Sequence, residues 1–209
     1  MQHKIQYMEL KDKLKDYIIF SQKQIKKIYP KFNIHNFKEW QKKKYIKKII
    51  KGYYIFSDLD ISEPILFIIS NEIYKPSYIS FEMALSYYQI IPETVYGITA
   101  ATTRHTYKFE TRVAKFSYRK IKPAMMFGYK LKKYKNHIFK IAEIEKAIID
   151  YLYANAKLKQ PVDFQELRID KTLFDEQVDL DKINKYLKVI GSDVLSRRVR
   201  KFLRYMKHA

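Results

Sequence analysis

Apolar positions in the first sixty residues recur at helical spacing and then switch to alternation. Leu10, Leu14, Tyr17 and Ile18 fall at i, i+4, i+7 and i+8, one face of a first helix. Ser21 with Gln24 forms a capping box, in which each side chain satisfies a backbone N–H that a helix start leaves open. The second helix buries Ile25, Ile28 and Tyr29, and Pro30 stops it. Asn33 caps a third helix. Phe32 and Phe37 have the spacing of a hydrophobic staple, and Ile34, Phe37 and Trp40 face inward. β-Branched and aromatic residues then alternate over Tyr45–Ile50 and Tyr53–Phe56 around Lys51-Gly52. This is a hairpin pattern with a weaker turn signal than Asn-Gly.

Beyond the hairpin, Asp58–Pro64 is acidic, carries a proline and reads as a linker. Ile65–Ser70 reads as a strand, and Ser80 caps a helix with Phe81, Ala84, Leu85 and Tyr88 on one face. Thr94–Thr99 and Arg112–Ile121 read as strands. A stripe of Ile141, Ile144, Ile148, Tyr151 and Leu152 predicts a helix over Ile141–Tyr153. After Pro161 the pattern is all-helical. Asp179 caps a helix facing Ile183, Tyr186, Leu187 and Ile190 and ended by Gly191. Ser192 caps the last helix, which buries Leu195, Val199, Phe202, Leu203 and Met206. The expected fold class is α+β. A winged helix-turn-helix occupies about residues 1–60, and a mixed α/β domain follows over 61–209, helical from about 160.

Composition narrows the function. The chain has 209 residues, 47% of them hydrophobic, enough for a packed core and against global disorder. The net charge of +20 favours an anionic partner, nucleic acid before membrane. By thirds, residues 1–60 carry +9, 61–155 carry +6 and 156–209 carry +5, so the first third is the most basic per residue. Cysteine is absent, which excludes disulfides, thiolate metal sites and a cysteine nucleophile. The five histidines lack metal-ligand spacing, and the four glycines form no phosphate loop. No cofactor is expected. The start of the chain lacks a signal-peptide run and the apolar runs are too short to span a bilayer, so a cytoplasmic protein without membrane contact is expected.

The densest charge lies between Trp40 and Tyr54, which reads Trp-Gln-Lys-Lys-Lys-Tyr-Ile-Lys-Lys-Ile-Ile-Lys-Gly-Tyr-Tyr. A helix followed by a basic hairpin is the order of recognition helix and wing. His35, Asn36, Lys38 and Gln41 are the candidates for base-edge contact in double-stranded DNA, since Asn and Gln pair with adenine and Lys with guanine. Lys42, Lys43, Lys44, Lys47, Lys48 and Lys51 are the candidates for phosphate. Glu39 repels phosphate unless it reads a cytosine or pairs with Lys43. Arg197, Arg198, Arg200, Lys201 and Arg204 crowd the polar side of the last helix, as a second nucleic-acid surface or a solvated face.

An enzymatic reading would rest on Glu143, Glu145, Lys146 and Asp150. A restriction-type nuclease places Asp/Glu-x-Lys on a strand, whereas Ile144 stands two residues before Lys146. On a helix Lys146 pairs with Asp150 at i, i+4, a structural role. No enzyme is expected.

Three stretches, in order, resemble the AbiEi family, antitoxins and transcriptional regulators of type IV toxin–antitoxin systems. The first is Trp40–Tyr54, with Gly52-Tyr53-Tyr54 at the family's Gly-x-Tyr position. The second is Pro76-Ser-Tyr-Ile-Ser-Phe-Glu-Met-Ala-Leu-Ser-Tyr-Tyr-Gln-Ile-Ile-Pro92, followed by Thr99 and the Arg104 stretch. The third is Ile141-Ala-Glu-Ile-Glu-Lys-Ala-Ile-Ile-Asp-Tyr-Leu152, close to the family's A-x-x-E-K-A-x-x-D helix. Two positions depart: Lys44 stands where the family usually has glycine, and Tyr88-Gln89-Ile90 where "hGL" often ends the central helix. The resemblance implies a repressor of its own operon, binding an inverted repeat in its promoter. It also implies an antitoxin that counters a nucleotidyltransferase-like toxin without a stable complex. The Arg197–Arg204 face is then a candidate antitoxic surface.

Overall fold

Aromatic rings gathered from both ends of a sixty-residue segment build the first core. The computed structural model describes residues 7–92 and 95–208. Its first elements are α1 (Tyr7–Lys13), β1 (Phe20–Ser21), α2 (Gln22–Ile28), α3 (His35–Lys42), β2 (Ile46–Ile50) and β3 (Tyr53–Phe56). The three strands form an antiparallel sheet in the order β1-β3-β2. Leu10, Leu14, Phe20, Ile25, Phe32, Phe37, Trp40, Ile46, Tyr54 and Phe56 make one buried cluster. The capping box forms as expected: Gln24 N donates to Ser21 Oγ at 3.2 Å and Ser21 N to Gln24 Oε1 at 2.7 Å. Asn33 Oδ1 accepts from His35 N at 2.9 Å, and the Phe32 and Phe37 rings meet edge-on at 5.3 Å. Trp40 is core. Three apolar expectations fail. Tyr17, Ile28 and Ile34 are each at least 40% exposed, because α1 ends before Tyr17 and the other two lie at the rim of the α2–α3 turn. Strand β1 was not expected, since two residues carry no alternation.

Alternation along β3 divides its side chains between two cores. Tyr54 and Phe56 enter the first, while Ile55 joins Ile18, Ile19 and Ile49 in a larger one shared with the rest of the chain. The segment expected as a linker is therefore tied down on both sides. Asp58 pairs with Lys11 at 2.5 Å, Leu59 and Ile61 pack against the larger core, and Ser62 Oγ donates to Tyr134 Oη at 3.3 Å.

That larger core surrounds a six-stranded mixed sheet. Its elements are α4 (Glu63–Ile73), β4 (Ser77–Ile79), α5 (Glu82–Tyr87), β5 (Ile98–Thr102), β6 (Tyr107–Glu110), β7 (Lys115–Lys120), β8 (Tyr129–Tyr134), β9 (His137–Ala142) and α6 (Ile144–Ala154). The strand order is β6-β7-β5-β4-β9-β8, with β4/β9 and β5/β7 parallel and the other pairs antiparallel. Helix α4 covers one face, where Phe67 meets Phe139 at 5.3 Å and Ser70 Oγ lies 3.1 Å from Tyr118 Oη. Helices α5 and α6 cover the other, through the Arg119–Glu82 pair at 2.7 Å and the Tyr78–Asp150 hydrogen bond at 2.7 Å.

The strand expected at Ile65–Ser70 is thus part of a helix. Its run is apolar on every side because α4 is buried almost all round, and such a run carries no period to tell helix from strand. The strand expected from Thr94 begins at Ile98; Thr94 itself lies outside the described residues. The expected Arg112–Ile121 strand is confined to Lys115–Lys120. Ile141 ends a strand rather than starting a helix, and α6 begins at Ile144.

The chain ends in four helices, α7 (Pro161–Gln165), α8 (Lys171–Gln177), α9 (Leu180–Ile190) and α10 (Asp193–His208). Asp179 Oδ1 accepts from Lys182 N at 3.0 Å, Gly191 closes α9, and Leu195, Val199, Phe202 and Met206 are buried, with Leu203 half-buried. The fold is α+β with a helical C-terminal end. Among the described residues, no helix is long and apolar enough to cross a membrane.

Candidate nucleic-acid interface

The end of α3 and the hairpin place most of the expected lysines in solvent. His35, Lys38, Lys42, Lys43, Lys44, Lys48 and Lys51 are exposed, and Asn36 is half-buried. Two candidates are turned to other uses. Gln41 Nε2 donates to Phe37 O at 2.9 Å, folding its amide back onto the helix. Lys47 Nζ donates to Ser57 O at 3.0 Å. Glu39 pairs with Lys42 at 3.7 Å, one position earlier than Lys43. Both pair members are well exposed, so the contact is weak and leaves Lys42 open to a stronger anion.

The backbone accounts for the two ends of the basic run. Gly52 takes φ +86°, the conformation the hairpin turn needs. Lys44 takes φ +57°, where α3 gives way to the first hairpin strand. This left-handed conformation favours glycine, so the lysine side chain there carries backbone strain. Rings hold α3 in place: Phe37 lies 4.4 Å from Tyr54 of β3, and Tyr7 of α1 meets Trp40 edge-on at 5.8 Å. Each such pair contributes about 0.5–1.5 kcal/mol beyond its buried area. Exposed Lys23, Lys26, Lys27 and Lys31, on α2 and the turn after it, were not among the expected site residues. Their signal is the lysine spacing around Ile25, which the denser run after Trp40 overshadows.

The five candidate basic residues, Arg197, Arg198, Arg200, Lys201 and Arg204, do not form one face of α10. Arg198 points inward, Nη1 donating to Leu152 O at 2.8 Å, and is structural. Arg200 lines a polar cavity of about 530 Å³ together with Asp181 and Asp193. Lys201 and Arg204 line a different cavity, with Lys159 from the segment before α7. Arg197 is exposed.

The carboxylates that suggest nuclease chemistry are absorbed in packing. Lys146 and Asp150 are wholly buried and paired with each other. Lys146 Nζ also donates to Tyr78 Oη at 2.7 Å, and Asp150 Oδ2 accepts from Tyr78 Oη at 2.7 Å and Ser80 Oγ at 2.8 Å. Burial holds the Lys146 ammonium below its usual range against the pull of Asp150, and pushes the Tyr78 phenol up. Gly128 presses on this lysine: a Cβ there would stand 3.1 Å from its Cγ and Cδ. Burial pushes the Glu143 carboxyl up, but its bonds to Tyr186 and Lys182 outweigh that and hold it below the usual value. Glu145 Oε1 accepts from Asp179 N at 3.2 Å. Among the described residues no group of three or more His, Cys, Asp or Glu is arranged to hold a metal ion.

A scan against models of protein families finds no match to this chain, and a search of curated proteins finds none either.

Proposed function

We propose that this protein is a DNA-binding transcriptional autorepressor and the antitoxin of a type IV system, countering a nucleotidyltransferase-like toxin. One observation carries the DNA half. A helix–helix–hairpin unit presents Lys38, Lys42, Lys43, Lys44, Lys48 and Lys51 to solvent along its third helix and hairpin, with Glu39 the acid among them. Helix α3 acts as the recognition helix and the β2–β3 hairpin as the wing of a winged helix-turn-helix. Lysines neutralise phosphates and position the protein, while His35, Asn36 and Lys38 at the start of α3 face base edges. Gln41 is a weaker candidate for this role, given its bond to Phe37 O.

The antitoxin half rests on the AbiEi-like stretches. Support comes from the way two of them meet: Tyr78 and Ser80 of the second stretch hydrogen-bond Asp150 of the third. These motif residues act as the internal frame of the sheet and α6, so antitoxicity belongs to the surfaces that frame holds in place.

Gel shifts on the DNA upstream of the gene, with excess competitor at near-physiological salt, test repression. The expected result is preference for an inverted repeat in that region; equal affinity for random DNA sinks the reading. Co-expression with the product of the neighbouring gene tests the second half, through rescue of growth. A regulator whose second region senses a ligand and has no toxin is the alternative, favoured by the cavity beside α10.

A further inference from the structure

The segment before α7, the start of α7 and the last two turns of α10 flank an open cavity of about 340 Å³. Its wall is apolar and aromatic: Pro161, Phe164 and Tyr205. Phe164 is fixed from behind by Phe202 at 5.6 Å and lies 5.9 Å from the Tyr205 ring. Its mouth is cationic: Lys159, Lys201 and Arg204, with His208 beside them. Residues 201, 204, 205 and 208 are spaced i, i+3, i+4 and i+7, so α10 brings two cations, the tyrosine and the histidine to one stripe. Among the described residues none of the three cations takes part in an ion pair. The carboxylate next to them in sequence, Asp163, is committed to the backbone, its Oδ2 accepting from Lys159 N at 2.7 Å and Gln160 N at 2.8 Å. Lys201 Nζ makes only a long contact, 3.5 Å, to Lys159 O.

Three like charges around one opening repel each other, and an anion seated between them relieves that repulsion. An inorganic anion would use the mouth and leave the aromatic wall unused. A nucleotide uses both, since its base has a π-face for Tyr205 and its phosphate takes the Arg204 fork and the lysines. The volume sits at the low end of small-molecule sites, which fits one nucleotide and excludes a duplex. We propose that this cavity binds a single nucleotide, base against the Tyr205 ring and Pro161 with buried Phe164 backing them, phosphate against Lys159, Lys201 and Arg204. The nucleotide is either free or an unpaired residue of a single strand. The site shares no residue with the hairpin, so failure of promoter binding leaves it standing, and the reverse.

Calorimetric titration of the full chain with adenosine 5′-monophosphate, inorganic phosphate and a ten-residue single-stranded oligodeoxyadenylate tests it. The expected result is saturable nucleotide binding at least tenfold tighter than phosphate. Tyr205→Leu keeps an apolar wall but removes the ring, and weakens nucleotide binding at least tenfold while Tyr205→Phe retains it. Lys159→Gln, on an exposed segment outside the helices, weakens it several-fold and serves where Tyr205→Leu is poorly folded by circular dichroism. Both leave promoter binding unchanged. An oligonucleotide more than tenfold tighter than the monophosphate, and competing with it, identifies a strand as the source; equal or weaker binding identifies the free nucleotide. Nucleotide binding no tighter than phosphate, or insensitive to both Tyr205→Leu and Lys159→Gln, overturns the proposal.

Discussion

Lys146 on α6 has no exposed surface and a carboxylate partner, whereas Lys48 and Lys51 of the hairpin stand in solvent with neither. The same side chain thus serves opposite ends in two regions of one molecule. Around α6 the buried charges are paired: Lys146 with Asp150, and Lys182 with Glu143 and Glu145. Such pairs hold segments together and have nothing left for a ligand. On α3 the acid among the lysines, Glu39, is exposed and loosely paired, so the lysines around it keep their charge in solvent. Density of charge in the chain does not distinguish the two regions; the presence of a buried counter-charge does.

The contrast is sharpest in stability. Lys146→Met leaves Asp150 charged and uncompensated in the core, and should cost about 3–5 kcal/mol in urea unfolding. Adding Asp150→Asn removes the stranded charge and recovers part of that loss. Lys51→Ala should leave the unfolding midpoint essentially where it is. Equal effects of Lys146→Met and Lys51→Ala would erase the distinction.

In DNA binding the ranking reverses. Replacing Lys42, Lys48 and Lys51 by alanine should weaken promoter and random DNA alike. It should also flatten the slope of log affinity against log salt by roughly 0.9 for each phosphate that is no longer neutralised. Lys47→Ala should do less, because its ammonium already serves Ser57 O. An unchanged slope in the triple variant would falsify the wing assignment.

Acid titration probes the paired region again. Burial raises the Glu143 carboxyl, but hydrogen bonds from Tyr186 and Lys182 overcome it and leave the folded-state pKa below the ordinary value of 4.5. Glu143 therefore contributes stability that is fully present above that value and is lost as pH falls through the folded pKa. Glu143→Gln should lower stability at neutral pH and flatten its decline below about pH 4.5. Parallel acid limbs in wild type and variant would show that Glu143 has no part in that decline.

The smallest effect is at Lys44, whose φ of +57° strains any residue with a Cβ. Lys44→Gly should raise stability by about 1 kcal/mol, since the left-handed conformation carries a penalty of that order. It should weaken DNA only by the loss of one charge. A destabilised Lys44→Gly would mean that the lysine stem packs usefully where it leaves α3.

Local signals in the chain were decisive wherever the structure uses local physics. The Ser21–Gln24 box, the Asp179 cap, the Gly191 stop and the Lys51-Gly52 turn are interactions within a few residues, and each lies where the pattern predicts. So does the Lys146–Asp150 pair at i, i+4. Asn33 falls one residue short: Ile34 is the N-cap of α3, and the Asn33 side chain bonds His35 N just outside the helix. Tertiary context decided the rest. Ile65–Ser70 became helix because burial on every side erases the period that distinguishes helix from strand. The short strands β4, β6 and β8 exist through partners elsewhere in the sheet: β4, for example, pairs with both β5 and β9. Among the candidate site residues, composition marked the lysines, but only folding turned Lys47 and Arg198 back onto the backbone. It alone brought Lys159 beside Lys201 and Arg204. The sequence by itself determined where charge accumulates and where helices start and stop, because those depend on neighbours along the chain. Which charges remain free to meet a ligand was settled by the tertiary structure, because a counter-charge or a carbonyl partner can come from any distance in sequence.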